Sequence, residues 1–116
     1  MTLAAVSGFL AVAIGAFAAH GVTDPVAKEW LRTGASYQFM HTMATFACAT
    51  FMNIGARRAR FAPVFFLGGT VLFSGSLYAM ALGAPRGLGM VTPLGGLCFL
   101  TGWAILAWAA RGVDRE

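Results

Sequence analysis

Uncharged apolar stretches recur four times along the chain, separated by short segments that contain charged residues, Gly or Pro. Each stretch has about 18 to 20 residues, the length that an α-helix needs to cross a hydrocarbon layer of ~30 Å. The pattern predicts an all-α, polytopic membrane protein in which four transmembrane helices form one compact bundle. The predicted spans cover residues 2–19, 37–54, 63–82 and 93–110 of a single domain, 1–116.

Small residues recur at helical spacing on one face of three of these spans. Such a face lets the backbone of a neighbouring helix approach closely. The three faces consist of Ala4, Gly8, Ala11, Gly15 and Ala18; of Gly75, Ala79 and Gly83; and of Gly95, Cys98, Gly102, Ile105 and Ala109. We therefore expect tight packing between the helices.

A short amphipathic segment lies between the first two spans. Thr23 or Asp24 can cap a helix whose first turn contains Pro25, and Trp30 lies on the apolar side of that helix. The pattern predicts an interfacial helix over residues 25–33 that lies on the membrane, with Trp30 among the lipid headgroups. Gly34 then allows a bend into the second span.

Composition supports a lipid environment. Hydrophobic residues make up 59% of the chain, charged residues only 10%, and the mean hydropathy is +0.75. Soluble domains carry about a quarter charged residues, so the lipid bilayer is the predicted partner of this surface. The net charge is +4, but no extended basic face exists, which argues against nucleic acid as a partner.

The distribution of basic residues indicates an orientation. Four spans put both termini on one side, together with the turn after the second span. That side carries five basic residues (Arg57, Arg58, Arg60, Arg111 and Arg115), whereas the other side carries three (Lys28, Arg32 and Arg86). By the positive-inside rule, this excess predicts cytoplasmic termini.

Polar side chains converge near the outer ends of the predicted spans, whereas the inner halves are almost entirely apolar. Polar groups in hydrocarbon need partners, which come from one another, from trapped water or from a ligand. The predicted ligand-binding residues are His20, Tyr37, Gln38, His41, Ser74, Tyr78 and Thr92. The plainer interpretation is that these groups only bond neighbouring helices to one another.

The sequence does not identify a cofactor. His20 and His41, from adjacent helices, have the side chains that ligate haem. Met40, His41 and Met43 together with His20 offer ligands for Cu(I). A histidine beside Ser74 or Ser76 would resemble a Ser–His dyad, although four short spans leave little room for oxyanion donors. No Gly-rich phosphate loop and no zinc-like spacing of ligands is present, and we expect no enzymatic activity.

Four motifs together carry a resemblance to a known family. They are GAFAAHG (15–21), YQFMH (37–41), FSGSLY (73–78) and TPLGG (92–96), the last followed by Gly102-Trp103. In this order they resemble the bacterial family called domain of unknown function 423, the small YgdD-like inner-membrane proteins. The resemblance implies a four-helix protein of the bacterial inner membrane, but no activity and no catalytic residues. One departure is Ala18, where relatives have Gly.

Two hypotheses about function follow. The first is a non-enzymatic membrane protein whose outer polar cluster binds a lipid, a quinone or another small amphipathic molecule. The second is an accessory or assembly subunit whose small-residue faces pack on a larger membrane complex or on further copies of the chain.

Overall fold

The computed structural model describes residues 1–114 and is almost entirely helical. Four long helices follow one another along the chain: α1 (Thr2–His20), α2 (Pro25–Asn53), α3 (Ala62–Ala81) and α4 (Thr92–Asp114). Short 3₁₀ helices, Arg57–Phe61 and Arg86–Met90, precede α3 and α4. The prediction of an all-α protein is confirmed.

Helix α2 is continuous over 29 residues, so the separate interfacial helix expected over residues 25–33 is not formed. Gly34 does not bend the chain. It is buried under Tyr78, whose Cε1 would lie 2.5 Å from a Cβ placed on Gly34. The Ser74 hydroxyl also donates a hydrogen bond to the Gly34 carbonyl at 2.7 Å. The glycine therefore permits a close approach of α3 to α2 rather than a change of direction.

The helix ends follow local sequence signals. Asp24 caps α2, since its carboxylate accepts a hydrogen bond from the Ala27 N–H at 3.2 Å, and Pro25 occupies the first turn. Gly55 and Gly83 have positive φ angles of 98° and 105° directly after α2 and α3. Both glycines end their helices in the left-handed conformation that residues with a Cβ rarely adopt.

The helices pack in chain order and do not close into the compact bundle that was expected from the sequence. Helix α2 packs against α1 on one side and α3 on the other, and α3 packs against α4. Within the described residues α1 packs substantially only on α2. The reason is that α1 buries a single narrow stripe, Ala4, Ala11 and Ala18, while large residues such as Phe9 remain exposed on its other faces.

Glycines set the closest approach between α3 and α4. A Cβ on Gly95 would overlap the backbone of Phe73, and one on Gly69 would lie 2.6 Å from the Phe99 ring. The small-residue face predicted for α4 is therefore in contact with α3. The face predicted for α3 is not used in this way, because a Cβ on Gly75 or Gly83 would meet no atom within 4 Å.

The main hydrophobic cluster lies at the end of the molecule that carries the Arg57–Phe61 turn. Phe66 is fully buried there among small side chains from α2, α4 and the turn. Its members are Ala44, Cys48, Ala56, Ala59, Ala62, Phe66, Phe99, Leu106 and Ala109. Cys48 belongs to this cluster as a free, buried thiol, and Cys98 is also free.

Within the part of the chain that the structure describes, three helical segments are long and apolar enough to cross a membrane: Thr2–His20, Arg57–Ala81 and Arg86–Gly112. Helix α2 falls short of the required hydropathy because Gln38, His41 and Asn53 interrupt its apolar residues.

Candidate functional site

His41 lies near the middle of α2 and is almost completely buried. Its ring stacks on Phe99 of α4, with centroids 3.6 Å apart and planes 9° from parallel. Nδ1 lies 2.7 Å from the Tyr37 carbonyl, and the Trp103 Nε1–H donates to Nε2 at 3.1 Å. These partners assign the neutral tautomer with the proton on Nδ1, so both ring nitrogens are engaged.

The depth of His41 differs from the sequence-based expectation. His41 was expected in the outer third of a span that began at residue 37. Because α2 begins at Pro25 and runs without a break, His41 lies at mid-length instead. Its partner Trp103 was missed, because a tryptophan in a span is more often expected at the membrane boundary.

Gln38 is the centre of a hydrogen-bonded seam that joins three helices. Its Nε2 donates to the Ser7 carbonyl at 2.8 Å, and its Oε1 accepts from the Tyr78 hydroxyl at 2.6 Å. The Thr42 hydroxyl donates to Ser7 Oγ at 3.0 Å. Sequence reasoning missed Ser7, since a lone serine in an apolar helix usually bonds its own backbone.

The remaining predicted polar residues form separate pairs. Ser74 bonds Gly34, as described above, while the hydroxyls of Ser76 and Thr92 lie 2.5 Å apart and join α3 to α4. The Thr92 hydroxyl therefore bonds across to α3 instead of capping α4. Among the described residues, every buried side-chain nitrogen or oxygen has a hydrogen-bond partner. The polar groups form several closed sets rather than one cluster.

His20 lies far from these sets. It is exposed at the end of α1. Gly15 packs beside Ala35 in the antiparallel pair α1–α2, which puts His20 near the level of Trp30. That level is roughly 17 Å along α2 from His41. One chain therefore does not bring both histidines to a shared haem or Cu(I) ion. In residues 1–114 no group of three His, Cys, Asp or Glu side chains is placed to hold a metal.

A long apolar groove separates α2 from α4, and its volume is about 820 Å³. Phe73 of α3, together with His41 stacked on Phe99, forms its floor. Its lining consists of Tyr37, Phe39, Met40, His41 and Met43 on α2, Phe73 on α3, and Pro93, Gly96, Leu97, Phe99, Leu100 and Trp103 on α4. Of the seven residues predicted to bind a ligand, only Tyr37 and His41 line this groove. We refer to it below as the α2–α4 groove.

Arginine–tryptophan pairs mark both ends of the molecule. The Arg86 guanidinium lies 5.7 Å from the centre of the Trp30 ring at the end where α2 begins. At the opposite end Arg58 lies 4.5 Å from the centre of the Trp108 ring. Trp30 and Cys48, which lies close to the second end, are 18 residues apart on α2, so the rise per residue separates them by roughly 27 Å. This distance is close to the thickness of a bilayer core.

Apolar helices of bilayer length, bounded at both ends by Trp and Arg, define a multi-pass membrane protein. The sequence model of the family "Protein of unknown function (DUF423)" matches residues 14–96, and the chain belongs to that family. The matched region includes α2, α3 and the first turn of α4, which together form most of the groove.

Relatives of similar length support this assignment. A UPF0382 membrane protein of Haemophilus influenzae is 44% identical over 113 residues, covering 95% of this chain and 91% of the relative. The UPF0382 inner membrane protein YgdD of Escherichia coli K12 is 42% identical over 123 aligned positions, covering 100% and 92%. The UPF0382 membrane protein YwdK of Bacillus subtilis is 35% identical, covering 93% and 92%. No solved structure matches the chain. The chain is thus a multi-pass protein of the inner membrane.

Proposed function

We propose that the chain crosses the inner membrane four times, with α2 as a span although its hydropathy is low. Helix α2 lies antiparallel between α1 and α3, both of which are long and apolar enough to cross. The polar atoms of Gln38 and His41 are paired with other helices, which lowers the cost of placing them in hydrocarbon. Both termini then lie on the side of the Arg57–Arg60 turn, which the basic excess makes cytoplasmic.

We propose that the protein is non-enzymatic and binds one apolar chain of a lipid or quinone in the α2–α4 groove. The observation that carries this proposal is the groove itself: 820 Å³ of space, open toward the surrounding lipid, with an aromatic floor. A fully packed pair of helices would leave no such space. The groove is also larger than the apolar groove of about 580 Å³ between α1 and α2, so it offers more room for a chain.

The polar residues support this location for the site. Gln38, Ser74, Tyr78 and Thr92 each bond a neighbouring helix, so a ligand that used them would first have to break those bonds. His41 has both nitrogens engaged and is not poised as a base beside a nucleophile. The geometry favours binding by shape and apolar contact over chemistry on the ligand.

Filling the groove tests this function. Gly96 lines the groove, and a Cβ placed there would meet no atom within 4 Å, so Gly96→Leu adds bulk to the groove with little strain. Gly68→Leu is the matched control, because Gly68 has equal room on α3 and does not line the groove. We expect Gly96→Leu to lose lipid or quinone that the wild type and Gly68→Leu retain after detergent exchange, measured by mass spectrometry. Equal retention by all three would contradict the proposal.

The second candidate function is an accessory or assembly subunit. It is favoured by the outward face of α3, where a Cβ on Gly68 or Gly75 meets no atom within 4 Å and Val64 and Val71 are exposed. A second helix, from another copy or a larger complex, can approach such a face closely. Gly75→Leu should then reduce the mass of the particle in lipid nanodiscs. An unchanged mass would remove the support for this function.

A further inference from the structure

We infer that the occupant of the α2–α4 groove is one acyl chain of a phospholipid whose phosphate lies beside Arg86. This inference rests on the proposed function and names the class of its ligand. Three observations carry it: the depth of the groove, the residues at its mouth, and the hydrogen bonding at its inner end.

The groove is as deep as one leaflet of the bilayer. Pro93 and Trp103 line its two ends on α4. They are ten residues apart, so the groove extends roughly 15 Å along the helix, about half of a ~30 Å hydrocarbon core. An acyl chain that enters from the leaflet at the Pro93 end would fill this length and stop at Trp103 and His41.

The mouth of the groove carries a cation. Trp30 precedes Tyr37 by seven residues on α2, so both lie on the face that lines the groove. Arg86 lies over the Trp30 ring at 5.7 Å and is exposed. The exposed guanidinium is thus available to phosphate oxygens, for which its fork of donors is suited.

The two ring N–H groups at the inner end of the groove, those of His41 and Trp103, are already engaged. The Nδ1–H of His41 is directed at the Tyr37 carbonyl, and the Trp103 indole N–H is directed at His41 Nε2. A quinone ring that entered to this depth could not bond its carbonyl oxygens to either N–H group without breaking an existing hydrogen bond, which carries a free-energy cost in an apolar site. An acyl chain has no such requirement, and the polar part of the ligand then belongs at the mouth beside Arg86.

Titration in detergent with native mass spectrometry tests this inference. The probes are dioleoylphosphatidylglycerol, dioleoylglycerol, which has the same acyl chains but no phosphate, and decylubiquinone. The variants are Arg86→Gln, Arg86→Lys and Gly96→Leu. The matched controls are Gly68→Leu and Arg60→Gln, since Arg60 also lies over an aromatic ring, that of Phe61, but at the opposite end.

The wild type should bind dioleoylphosphatidylglycerol more tightly than either other probe. Loss of the charge-assisted bond in Arg86→Gln should weaken that binding about tenfold and leave dioleoylglycerol unaffected. Arg86→Lys should retain part of the preference, Gly96→Leu should lose binding of both lipids, and the two controls should behave as the wild type. Circular dichroism and the elution volume establish that each variant is folded.

The other outcomes overturn different parts of the account. If Gly96→Leu loses ligand but Arg86→Gln binds dioleoylphosphatidylglycerol as the wild type does, the phosphate site is wrong and the groove function stands. If decylubiquinone binds more tightly than the phospholipid, the ligand class is wrong. If Gly96→Leu changes nothing, or a stoichiometric polypeptide occupies the groove in place of lipid, both this inference and the proposed function are overturned.

Discussion

The two sides of α2 differ in how closely the neighbouring helices pack against them. On the side toward α1 and α3, Gln38 bonds Ser7 and Tyr78, and the helices approach over small residues such as Gly34. On the side toward α4, large apolar side chains line a groove of 820 Å³. Polar residues in this protein therefore mark closed helix–helix contacts, and the open region is apolar. Of the seven residues predicted to bind a ligand, only Tyr37 and His41 line this open region.

Closed helix–helix contacts should be more sensitive to substitution than the groove, and the largest effect is expected where the backbones of α3 and α4 meet. In Gly95→Ala the new Cβ would overlap the backbone of Phe73, which cannot yield as a flexible side chain can. Overpacking of this kind costs about 3 kcal/mol. The expected result is a large loss of unfolding free energy in a denaturant titration in micelles. Gly96→Ala, one residue along and facing open space, is the control; equal stability of both variants would refute the packing.

The next largest effect is expected from Gln38→Leu. The substitution removes the bonds to Ser7 and Tyr78 and leaves the Tyr78 hydroxyl without its acceptor. We expect a loss of about 1.5 kcal/mol in the same titration, given the cost of an unpaired buried group. Tyr78→Phe removes only one of these bonds and should cost about 0.6 kcal/mol. A Gln38→Leu protein as stable as the wild type would show that the seam is not a closed network.

The smallest stability effect is expected at the floor of the groove. His41→Phe retains the aromatic stacking on Phe99 but removes the acceptor for the Trp103 indole. The substitution also removes the bond from Nδ1 to the Tyr37 carbonyl, which lies within α2. Loss of the interhelical bond should cost about 0.6 kcal/mol and should shift the tryptophan emission, because the indole N–H loses its partner. His41→Phe in the background of Trp103→Phe provides the control, since no emission change is expected there. A loss as large as that of Gln38→Leu would mean that His41 has a further role.

The helices were predictable from the sequence, whereas their partners were not. Uncharged runs of bilayer length gave α1, α3 and α4 to within a few residues. Asp24-Pro25 also predicted the start of α2. Gly34 was wrongly interpreted as a bend, because the sequence does not distinguish a glycine that turns the chain from one that makes room for the aromatic ring of a neighbouring helix. That error moved His41 from the middle of a helix to its outer third.

The candidate site was only partly predictable for a related reason. Helical spacing identifies residues that share a face, but it does not say which face meets a neighbour. Gly75 and Gly95 both belong to small-residue faces predicted from the sequence, yet of the two only Gly95 lies against another helix. The α2–α4 groove exists because α4 packs mainly on α3 and leaves α2 uncovered, and this arrangement is a property of three helices together. Tyr37 and His41 were found through their polarity. Trp103 was noted only as part of a family motif, and nothing in the sequence singled out Phe99.

Photo-crosslinking tests most directly whether the α2–α4 groove holds a lipid chain while the other apolar faces only contact bulk lipid. The protein is placed in nanodiscs containing a phosphatidylglycerol with a diazirine on its acyl chain, and adducts are mapped by peptide mass spectrometry. Leu97 and Leu100 in the groove are 60% and 66% exposed, close to Val71 on the outer face of α3 at 71%. We predict that adducts concentrate at Leu97 and Leu100 in the wild type. In Gly96→Leu they should fall to the level of Val71. Equal labelling of all three residues in the wild type would contradict the account.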